Sequence, residues 1–536
     1  MARAAQELAA PRPVRGAPVA GYDRVAAIDI GSNSIRQIVA DVAPNGDMRV
    51  VDEMKAAPRL GAGVSETGLL TDSAVQRAIE AVTRMATLAR QLGASRIEAV
   101  ATSAVRDASN AQQFIDQLQR AAKIRVRVLT GQDEALLSFR SALAHFDLGV
   151  GRAAVVDIGG GSLELALSAG GLVDRLVTLP FGVIRLTERY LTEDNSRRAV
   201  KALRKEVRDE LRTHLPAREW RNVQIIGSGG TFTNLAGMAL ARQGLTVPSV
   251  HATTVTRVEV EHILDSLQGM SLTERLTVAG LNPGRADIIV AGLAVIAEVM
   301  ARLDSHDLVV SGYGIREGLL LETARVMPSI ANPGEARERS IRRLAEACHF
   351  EERHSVHVQK LALQLFDALG ARLGCEPQDR QTLAAAALLH DIGYHISYDR
   401  HNKHSYYLIS HADLLGMSPA EQLVVANVAR YHRGAPPKRK HRAYAALDKA
   451  MRQQVRRLSA ILRVADGFDR GHVAAVDHVR VRWLDRAIRL TPVPRNAHRS
   501  LRLELWGASR KSRLLARVAG VPVEIVGPQG KVEGKD

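Results

Sequence analysis

Val25-Ala-Ala-Ile-Asp-Ile-Gly-Ser-Asn-Ser34 is an apolar run that ends in Asp-Ile-Gly and a cluster of small residues. The same plan returns about 130 residues later as Val155-Val-Asp-Ile-Gly-Gly-Gly-Ser-Leu-Glu164. An apolar run closed by a Gly-rich turn is typical of a buried strand. One such turn is common, but its recurrence predicts two related half-domains that face a shared cleft.

The small residues after each run predict phosphate binding. Backbone N–H groups in a turn of Gly, Ser and Asn converge on one point, and small side chains let a phosphate oxygen approach them. An ordinary tight turn would explain any one of them, but a third such turn follows the apolar stretch 223–226 and favours a phosphate site. The candidate residues are Gly31, Ser32, Asn33, Ser34, Gly159, Gly160, Gly161, Ser162, Gly229, Gly230 and Thr231.

The composition indicates a modular globular protein. A length of 536 residues predicts roughly three or four domains. The residues are 46% hydrophobic and 4% aromatic, which is enough apolar material for their cores. Cys348 and Cys375 lie far apart without a CxxC spacing, so neither a disulfide framework nor a structural zinc site is expected and a cytoplasmic location is favoured. No run approaches about 18 uncharged apolar residues, so a transmembrane helix is not expected. The sequence does not decide whether the protein contacts a membrane surface peripherally.

Positive charge is concentrated near the end of the chain. The net charge is +16, and residues 433–463 hold ten Lys or Arg against the single acid Asp448. Such an excess implies a polyanionic partner, although a general basic drift of the composition is the alternative. Nucleic acid, anionic lipid and inorganic polyphosphate would satisfy the charge equally. The candidate polymer track is Lys438, Arg439 and Lys440.

Hydrophobic periodicity predicts an α/β region followed by a helical one. Three strands are expected over 24–52, with a hairpin near Pro44-Asn-Gly46, and strands and helices then alternate to about 325. Residues 336–469 carry helical patterns, after which alternation predicts strands at 479–483, 488–490, 501–505 and 521–526. We therefore predict a flexible tail at 1–21, lobes at 22–147 and 148–328, a helical domain at 329–470 and a small β-rich or α+β module at 471–536.

Six ordered blocks resemble the Ppx/GppA phosphatase family of exopolyphosphatases and guanosine pentaphosphate phosphohydrolases. The resemblance covers about residues 24–470 and implies an α/β fold with duplicated actin-like (ribonuclease H-like) ATPase lobes. One departure is Leu163, where the family commonly has Thr. The blocks are Ala27–Ser34, Ala101–Asn110, Gly131–Ala135, Asp157–Ser162, Gly229–Thr231 and Gly314–Gly318.

Hydrolysis of a phosphoanhydride depends mainly on positioning and charge neutralisation, and the blocks contain residues suited to both. Arg106 could clamp a phosphate bidentately, with Thr102 and Ser103 beside it as donors. The resemblance assigns the general base to Glu134, with Asp133 as the fallback, although either acid would also suit the first turn of a helix.

Three further carboxylates beside the turns are suited to Mg²⁺ that bridges phosphate oxygens. They are Asp29, Asp157 and Glu164. Asp157 and Glu164 are thereby predicted to take part in catalysis with Glu134. For Asp29 and Asp157 the structural alternative is a buried Asp that caps the following turn.

The histidines of the helical region resemble an HD domain. That resemblance implies a divalent metal held by His354, His390, Asp391 and Asp466. His404 and His432 could hold a second ion or a phosphate, because imidazole and carboxylate together suit transition metals. In related exopolyphosphatases the same domain could instead bind polymer and support dimerisation.

The predicted activity is exopolyphosphatase, a hydrolase that releases orthophosphate from the end of inorganic polyphosphate in the presence of Mg²⁺. The alternatives are a pppGpp 5′-phosphohydrolase and a polyphosphate-binding regulatory protein with weak turnover. An ATP-using kinase or chaperone of the actin-like superfamily is a rival that the Arg106 and Gly131–Ala135 blocks disfavour. A cytoplasmic homodimer without a specific nucleic-acid partner is expected.

Overall fold

The computed structural model describes residues 21–44, 46–191, 196–215, 220–245, 249–326, 333–412, 414, 417–496 and 500–528, without the side chains of 333–336. The predicted tail at 1–21 lies outside the described residues except for Gly21, and so does Asn45 of the predicted hairpin turn. The chain forms two compact units. Unit 1 ends at residue 332, and unit 2 comprises 333–536 together with the short segment 244–249.

Unit 1 is built from two halves. The first half contains β1 (Asp23–Ile30), β2 (Ile35–Val42), β3 (Met48–Ala56), α1 (Val64–Thr67), α2 (Asp72–Gln91), β4 (Arg96–Ala101), α3 (Ser103–Asp107), α4 (Ala111–Ala122), β5 (Val126–Val128) and α5 (Gly131–His145). The second half contains β6 (Arg152–Ile158), β7 (Leu163–Ala169), β8 (Leu172–Leu179), α6 (Val183–Tyr190), α7 (Arg197–His214), β9 (Gln224–Ser228), α8 (Gly230–Arg242), β10 (Thr253–Thr256), α9 (Arg257–Leu267), α10 (Leu272–Arg275), a 3₁₀ turn (Pro283–Arg285), α11 (Ile289–Arg302), β11 (Asp307–Val310) and α12 (Ile315–Thr323).

The two sheets of unit 1 repeat one topology. Their strand orders are β3-β2-β1-β4-β5 and β10-β11-β9-β6-β7-β8. In the first sheet β1 runs antiparallel to β2 and parallel to β4, and in the second sheet β6 runs antiparallel to β7 and parallel to β9. This repetition confirms the duplicated architecture predicted from the two apolar runs.

The apolar runs are central strands covered on both faces. Val25 and Ala27 of β1 belong to one hydrophobic cluster, whereas Ile28 and Ile30 belong to another on the opposite face. All four are fully buried. A strand covered on both sides needs apolar residues at every position, which explains why the sequence here runs without polar alternation.

Two helices cross between the halves of unit 1. Helix α5 follows the first sheet but packs Ala135 and Phe139 against Val155 and Ala166 of the second. Conversely, α12 ends the second half and packs Leu319 and Leu320 against Val25 and Ala27 of the first. The helices α5 and α12 meet where a Cβ on Gly318 would lie 2.0 Å from the Leu137 carbonyl oxygen, so only glycine permits this approach.

Unit 2 is mostly helical with one small sheet. Its elements are α13 (Pro333–Ala347), α14 (Glu352–Leu369), α15 (Asp379–Leu389), a 3₁₀ turn (Ile392–His395), α16 (His401–His411), α17 (Pro419–Arg430), α18 (Arg442–Ala445), α19 (Lys449–Gly467), β12 (Val476–Leu484), β13 (Ala487–Pro494), α20 (Arg502–Lys511), α21 (Arg513–Ala519) and β14 (Val523–Ile525). The sheet has the order β12-β13-β14.

The strand predicted at 501–505 was wrong, because these residues lead into α20. Leu501, Leu505 and Ala508 are buried while Leu503 is 48% exposed, which is a helical spacing. The alternation of Leu501, Leu503 and Leu505 fits a strand as well, and packing against α19 decides between them. A Cβ on Gly467 of α19 would lie 2.7 Å from the Ala508 Cα.

Among the described residues, the helices are all too short or too polar to cross a lipid bilayer.

Candidate active site

The first two Gly-rich turns and the start of α8 meet at one cleft of unit 1. Since β1 and β6 run parallel to β4 and β9, their carboxyl ends carry the following turns to the facing edges of the two sheets. The cleft has a volume of about 130 Å³. The predicted residues that line it are Asp29, Gly31, Ser32, Asn33, Ser34, Thr102, Ser103, Glu134, Asp157, Gly159, Gly160, Glu164, Gly229 and Gly230.

The remaining predicted residues of unit 1 lie outside the cleft lining, either in an adjoining groove or buried in the core. Arg106, Gly161 and Ser162 line an adjoining outer groove of about 500 Å³ that also includes Arg185. Thr231 is buried and packs next to Gly292. It does not belong to the cleft lining, where Thr233 stands instead.

The turns of the two halves touch across the cleft. Ser32 and Ser103 of the first half join their hydroxyl groups at 2.9 Å. A Cβ on Gly160 of the second half would lie 2.7 Å from Ser32 Cβ, and one on Gly161 would lie 2.6 Å from Ser103 Oγ. The small residues thus let the backbones of both turns approach the same space.

Glu134 is placed by the N-terminus of α5. Thr130 Oγ1 accepts a hydrogen bond from the Asp133 N–H at 3.1 Å, and the Asp133 carboxylate accepts one from the Thr130 N–H at 3.0 Å. This capping box engages Asp133. Glu134, the next residue, is 4% exposed and points into the cleft lining. The helix start therefore separates the two acids that the sequence left as rivals.

The immediate partner of Glu134 is Arg106. Arg106 Nη1 donates to Glu134 Oε1 at 2.5 Å and to the Leu129 carbonyl oxygen at 2.8 Å. Burial raises the pKa of Glu134 to about 7, although the hydrogen bond and charge of Arg106 act in the opposite direction. A carboxyl group with a pKa near neutrality is suited to exchange protons with water.

Three more carboxylates share the cleft. Asp157 Oδ2 accepts hydrogen bonds from Ser228 at 2.7 Å and Ser138 at 2.9 Å. Burial raises the pKa of Asp29 to about 6 and raises those of Asp157 and Glu164, with the charge of Glu134 adding to the effect at Glu164. Asp29 Oδ1 and Glu164 Oε1 are buried and find no hydrogen-bond partner among the described residues.

Sequence reasoning missed three arginines that line the same cleft. They are Arg36 on β2, Arg285 in the 3₁₀ turn and Arg316 at the start of α12. Within the described residues, the side chains of Arg36 and Arg285 make no hydrogen bond and no ion pair within 4.0 Å. Arg316 stands inside the Gly314–Gly318 block and could have been found there, whereas nothing around Arg285 in the sequence distinguishes it.

The charges of the cleft fit a magnesium–phosphate group. Among the described residues, Asp29 Oδ1 and Glu164 Oε1 accept no hydrogen bond, and the guanidinium groups of Arg36 and Arg285 donate none, although these opposite charges face one cleft. Buried polar groups without partners are rare and costly. A hard divalent cation takes oxygen ligands such as these carboxylates, and a phosphate supplies the missing anion.

Unit 2 brings the predicted metal ligands together. His354 Nε2 lies 3.7 Å from Asp391 Oδ2 and 3.9 Å from Asp466 Oδ1, and His390 Nε2 lies 3.5 Å from Asp391 Oδ2. His432 joins the cluster, as predicted, but its partner is His401 rather than His404. The carboxylate of Asp466 also forms an ion pair with Lys511 of α20.

The predicted polymer track is accessible. Lys438, Arg439 and Lys440 are all exposed on the segment between α17 and α18 of unit 2.

Comparison with known proteins decides the family. A model of the Ppx/GppA phosphatase family matches residues 38–326, more than half of the chain. The chain belongs to the Ppx/GppA phosphatase family. A model of Ppx/GppA phosphatase domain III matches residues 336–499. The protein is accordingly a hydrolase whose duplicated sheets are the predicted actin-like lobes.

Several solved structures resemble this Ppx/GppA phosphatase over part of its length. A family member from Aquifex aeolicus is 29% identical, with a TM-score of 0.50, and the match covers 57% of this chain and 98% of that one. An exopolyphosphatase from Cytophaga hutchinsonii is 26% identical, with a TM-score of 0.52 over 58% of this chain and 100% of that one. An exopolyphosphatase-like protein is 30% identical, with a TM-score of 0.52 over 57% and 98%.

Proposed function

We propose that this Ppx/GppA phosphatase is an exopolyphosphatase, which removes terminal orthophosphate from inorganic polyphosphate. The observation that supports this function is that, among the described residues, carboxylate oxygens and two arginine side chains without hydrogen-bond partners line one cleft with Glu134. A chain of phosphates with bound divalent cations supplies both missing partners along one molecule.

Glu134 acts as the general base in this proposal. It takes a proton from water, the water oxygen bonds to the terminal phosphorus, and the bridging P–O bond breaks. The shortened polymer leaves with the electron pair of that bond as an oxyanion. Burial gives Glu134 a pKa of about 7, so the carboxylate is a better proton acceptor than an exposed one at neutral pH.

The arginines position the phosphate groups. Arg36 and Arg285 would each donate to oxygens of the terminal phosphate in the cleft, and Arg106 would exchange its bond to Glu134 for one to the next phosphate. Guanidinium groups suit this role because their planar fork matches two phosphate oxygens.

Asp29, Asp157 and Glu164 would hold Mg²⁺, which supplies charge neutralisation at the phosphate oxygens when bound. Asp157 is kept in place for this by Ser138 and Ser228. Gly229 leaves room for the Asp157 carboxylate, because a Cβ there would lie 2.7 Å from Oδ1.

The dimensions of the cleft suit a substrate that enters by a terminal phosphate. The cleft, at about 130 Å³, is smaller than the roughly 300–1,000 Å³ of sites that hold a whole small molecule, so we expect it to take only a terminal phosphate. The outer groove continues from the Gly160–Gly161 turn and carries Arg106 and Arg185. We expect the following phosphates to lie there.

A pppGpp 5′-phosphohydrolase is the second candidate. The outer groove, at about 500 Å³, has the size of small-molecule sites of roughly 300–1,000 Å³ and could hold the rest of a nucleotide. Both substrates would present a terminal phosphate to the same cleft.

One comparison of substrates tests the proposal. Phosphate release is measured for long polyphosphate, tripolyphosphate and pppGpp at equal Mg²⁺ and equal concentration of chain ends. The proposal expects kcat/KM to be highest for long polyphosphate. A higher value for pppGpp would assign the nucleotide activity, and phosphate release from none of the three would overturn both candidates.

A homodimeric state and a cytoplasmic location stay predictions.

A further inference from the structure

One surface of unit 2 combines tyrosines with lysines and arginines. It is formed by residues 394–412, which include α16, and by residues 430–442, which connect the end of α17 to α18. The chain has nine tyrosines, and five of them lie in these two segments. The same segments hold eight Lys or Arg and the single acid Asp399. We call this surface the aromatic–basic face.

Three tyrosines of the aromatic–basic face present their rings to solvent. Tyr394, Tyr398 and Tyr407 are 40%, 74% and 56% exposed. The ring centroids of Tyr394 and Tyr398 lie 5.6 Å apart, and Tyr407 stacks on His411 with 4.2 Å between centroids. Aromatic rings contribute large apolar contact areas when they are covered, so a group of exposed rings indicates a binding surface.

Helix α16 carries cations and rings on the same side. Lys403, Tyr407 and His411 are exposed and recur at every fourth residue, so they form one stripe along the helix. Asn402 Nδ2 of this helix donates to the Arg430 carbonyl oxygen at 2.8 Å. The second segment therefore begins directly beside α16.

The lysines of both segments gather around His441. Burial and then the charges of Arg430, Lys440, Lys438 and Lys403 lower the pKa of His441. Within the described part of the chain, the three lysines make no ion pair within 4.0 Å. Like charges that gather without a counter-charge repel one another, and a bound polyanion would relieve that repulsion.

Arg430 links the cations to the rings. Its guanidinium group lies over Tyr406 and Tyr431, at 5.4 and 5.6 Å from the two ring centroids. The Tyr431 hydroxyl oxygen lies 2.9 Å from His441 Nδ1. Rings and positive charges thus alternate across the face instead of forming separate patches.

Single-stranded nucleic acid is the polyanion that uses both kinds of side chain. Its phosphates pair with Lys and Arg, and its unstacked bases stack on aromatic rings whatever their sequence. Inorganic polyphosphate has no ring to stack, and the bases of a duplex stack on each other. Segments that bind anionic lipid insert Trp, Phe or Leu, whereas the exposed rings here are tyrosines.

We propose that the aromatic–basic face binds single-stranded RNA or DNA without sequence preference. The bases stack on the three exposed tyrosines, and the phosphates follow the lysines around His441. This binding is separate from the phosphatase reaction of unit 1 and does not depend on which substrate that reaction takes.

Binding of labelled oligonucleotides to the full-length protein tests the proposal. Fluorescence anisotropy gives Kd for an RNA of about 16 nucleotides, for the DNA of the same sequence and for the corresponding duplex. We expect both single strands to bind at least about tenfold more tightly than the duplex, with a Kd that rises with salt. The ratio of the two single-strand Kd values identifies whether the 2′-hydroxyl is recognised.

Variants of exposed tyrosines separate base stacking from charge. Tyr398→Ala/Tyr407→Ala should raise the Kd for the single strands at least about tenfold and leave the Kd for polyphosphate unchanged. Tyr398→Phe/Tyr407→Phe retains both rings and should bind like the wild type. Trp506→Ala is the matched control, because Trp506 is also exposed, at 46%, and also lies beside an arginine, Arg510, but stands outside the face.

Four results would overturn the proposal. They are no binding of either single strand at low salt, a duplex Kd equal to that of the single strands, equal losses of oligonucleotide and polyphosphate binding in Tyr398→Ala/Tyr407→Ala, and loss of oligonucleotide binding in Trp506→Ala. Binding to phosphatidylglycerol vesicles without binding to oligonucleotides would assign the face to a membrane instead. The wild-type affinities decide even if a variant fails to fold, which melting of each variant would show.

Discussion

Arg36 and Glu164 occupy the same position in two copies of one hairpin. Arg36 lies opposite Asp29 across β1 and β2, and Glu164 lies opposite Asp157 across β6 and β7. The duplicated frame therefore presents an aspartate at each strand end but pairs one with a cation and the other with a second carboxylate. The two halves of a duplicated scaffold thereby differ in charge at the same position beside the cleft.

The role of Glu134 predicts that Glu134→Gln retains polyphosphate binding and loses phosphate release by about 10²–10⁴-fold, because the amide cannot accept the proton. Initial rates and filter binding with the same polymer measure the two effects. Asp133→Asn is the matched control, and it should lower stability by about 1 kcal/mol through the capping box while activity persists. Turnover by Glu134→Gln at the wild-type rate would refute the assignment.

The raised pKa of Glu134 predicts the acid limb of the pH–rate profile. The base works as the carboxylate, so kcat/KM should fall as the pH drops through about 7. Arg106 lowers the pKa of Glu134, hence Arg106→Gln should move this limb to higher pH. Arg185→Gln, which removes a partner of Asp107, should leave its midpoint unchanged. A limb that moves to lower pH in Arg106→Gln would contradict the pairing.

Arg36 and Arg285 are expected to bind the terminal phosphate. Either Arg36→Gln or Arg285→Gln should lower kcat/KM by about 10²-fold, the typical loss of one donor to a developing charge. Arg84→Gln is the control, because in the described part of the chain Arg84 makes only a long surface pair with Glu80 at 3.9 Å. Steady-state kinetics at saturating Mg²⁺ provide the measurement. Wild-type kinetics in both cleft variants would remove these arginines from the site.

Gly229 has a conformation that side chains rarely adopt. Its φ is 88° and its ψ is 174°, a region that costs other residues about 1–3 kcal/mol. Gly229→Ala should therefore lower the free energy of unfolding by that amount and also displace Asp157, with loss of activity. Gly93 has a φ of 78°, and no described atom lies within 4 Å of the position of a Cβ there. Gly93→Ala should therefore lower the free energy of unfolding while activity is retained. Denaturant unfolding and rates of both variants distinguish strain from loss of the site.

The exposed basic segment predicts a dependence on polymer length. Replacing Lys438, Arg439 and Lys440 with Ala should raise KM for long polyphosphate more than for tripolyphosphate, and the difference should shrink with added salt. The exposed residues Arg197, Arg198 and Lys201 of unit 1 provide a control of equal charge. An equal change at every length would exclude a polymer track at this segment.

Local patterns gave reliable predictions where a short segment carries its own signal. The apolar runs before Gly31 and Gly159 form central strands, and the turns after them line one cleft. Residues 501–505 show the limit of such patterns, because the same leucine spacing satisfies a strand and a helix. Arg285 was missed for a related reason, because the residues next to it in the chain carry no signal of the cleft that it lines.

The chain order alone was sufficient to predict the duplicated sheets and the small-residue turns that end their central strands, because each depends on the periodicity and composition of a few consecutive residues. The pair of acids Asp133 and Glu134 came from the resemblance to the family. Packing was needed to exchange α5 and α12 between the halves, to select Glu134 over Asp133 for the cleft, and to pair His432 with His401 rather than His404. Those outcomes depend on contacts between residues far apart in the chain, where burial and close approach, such as that at Gly318, determine which side chains meet.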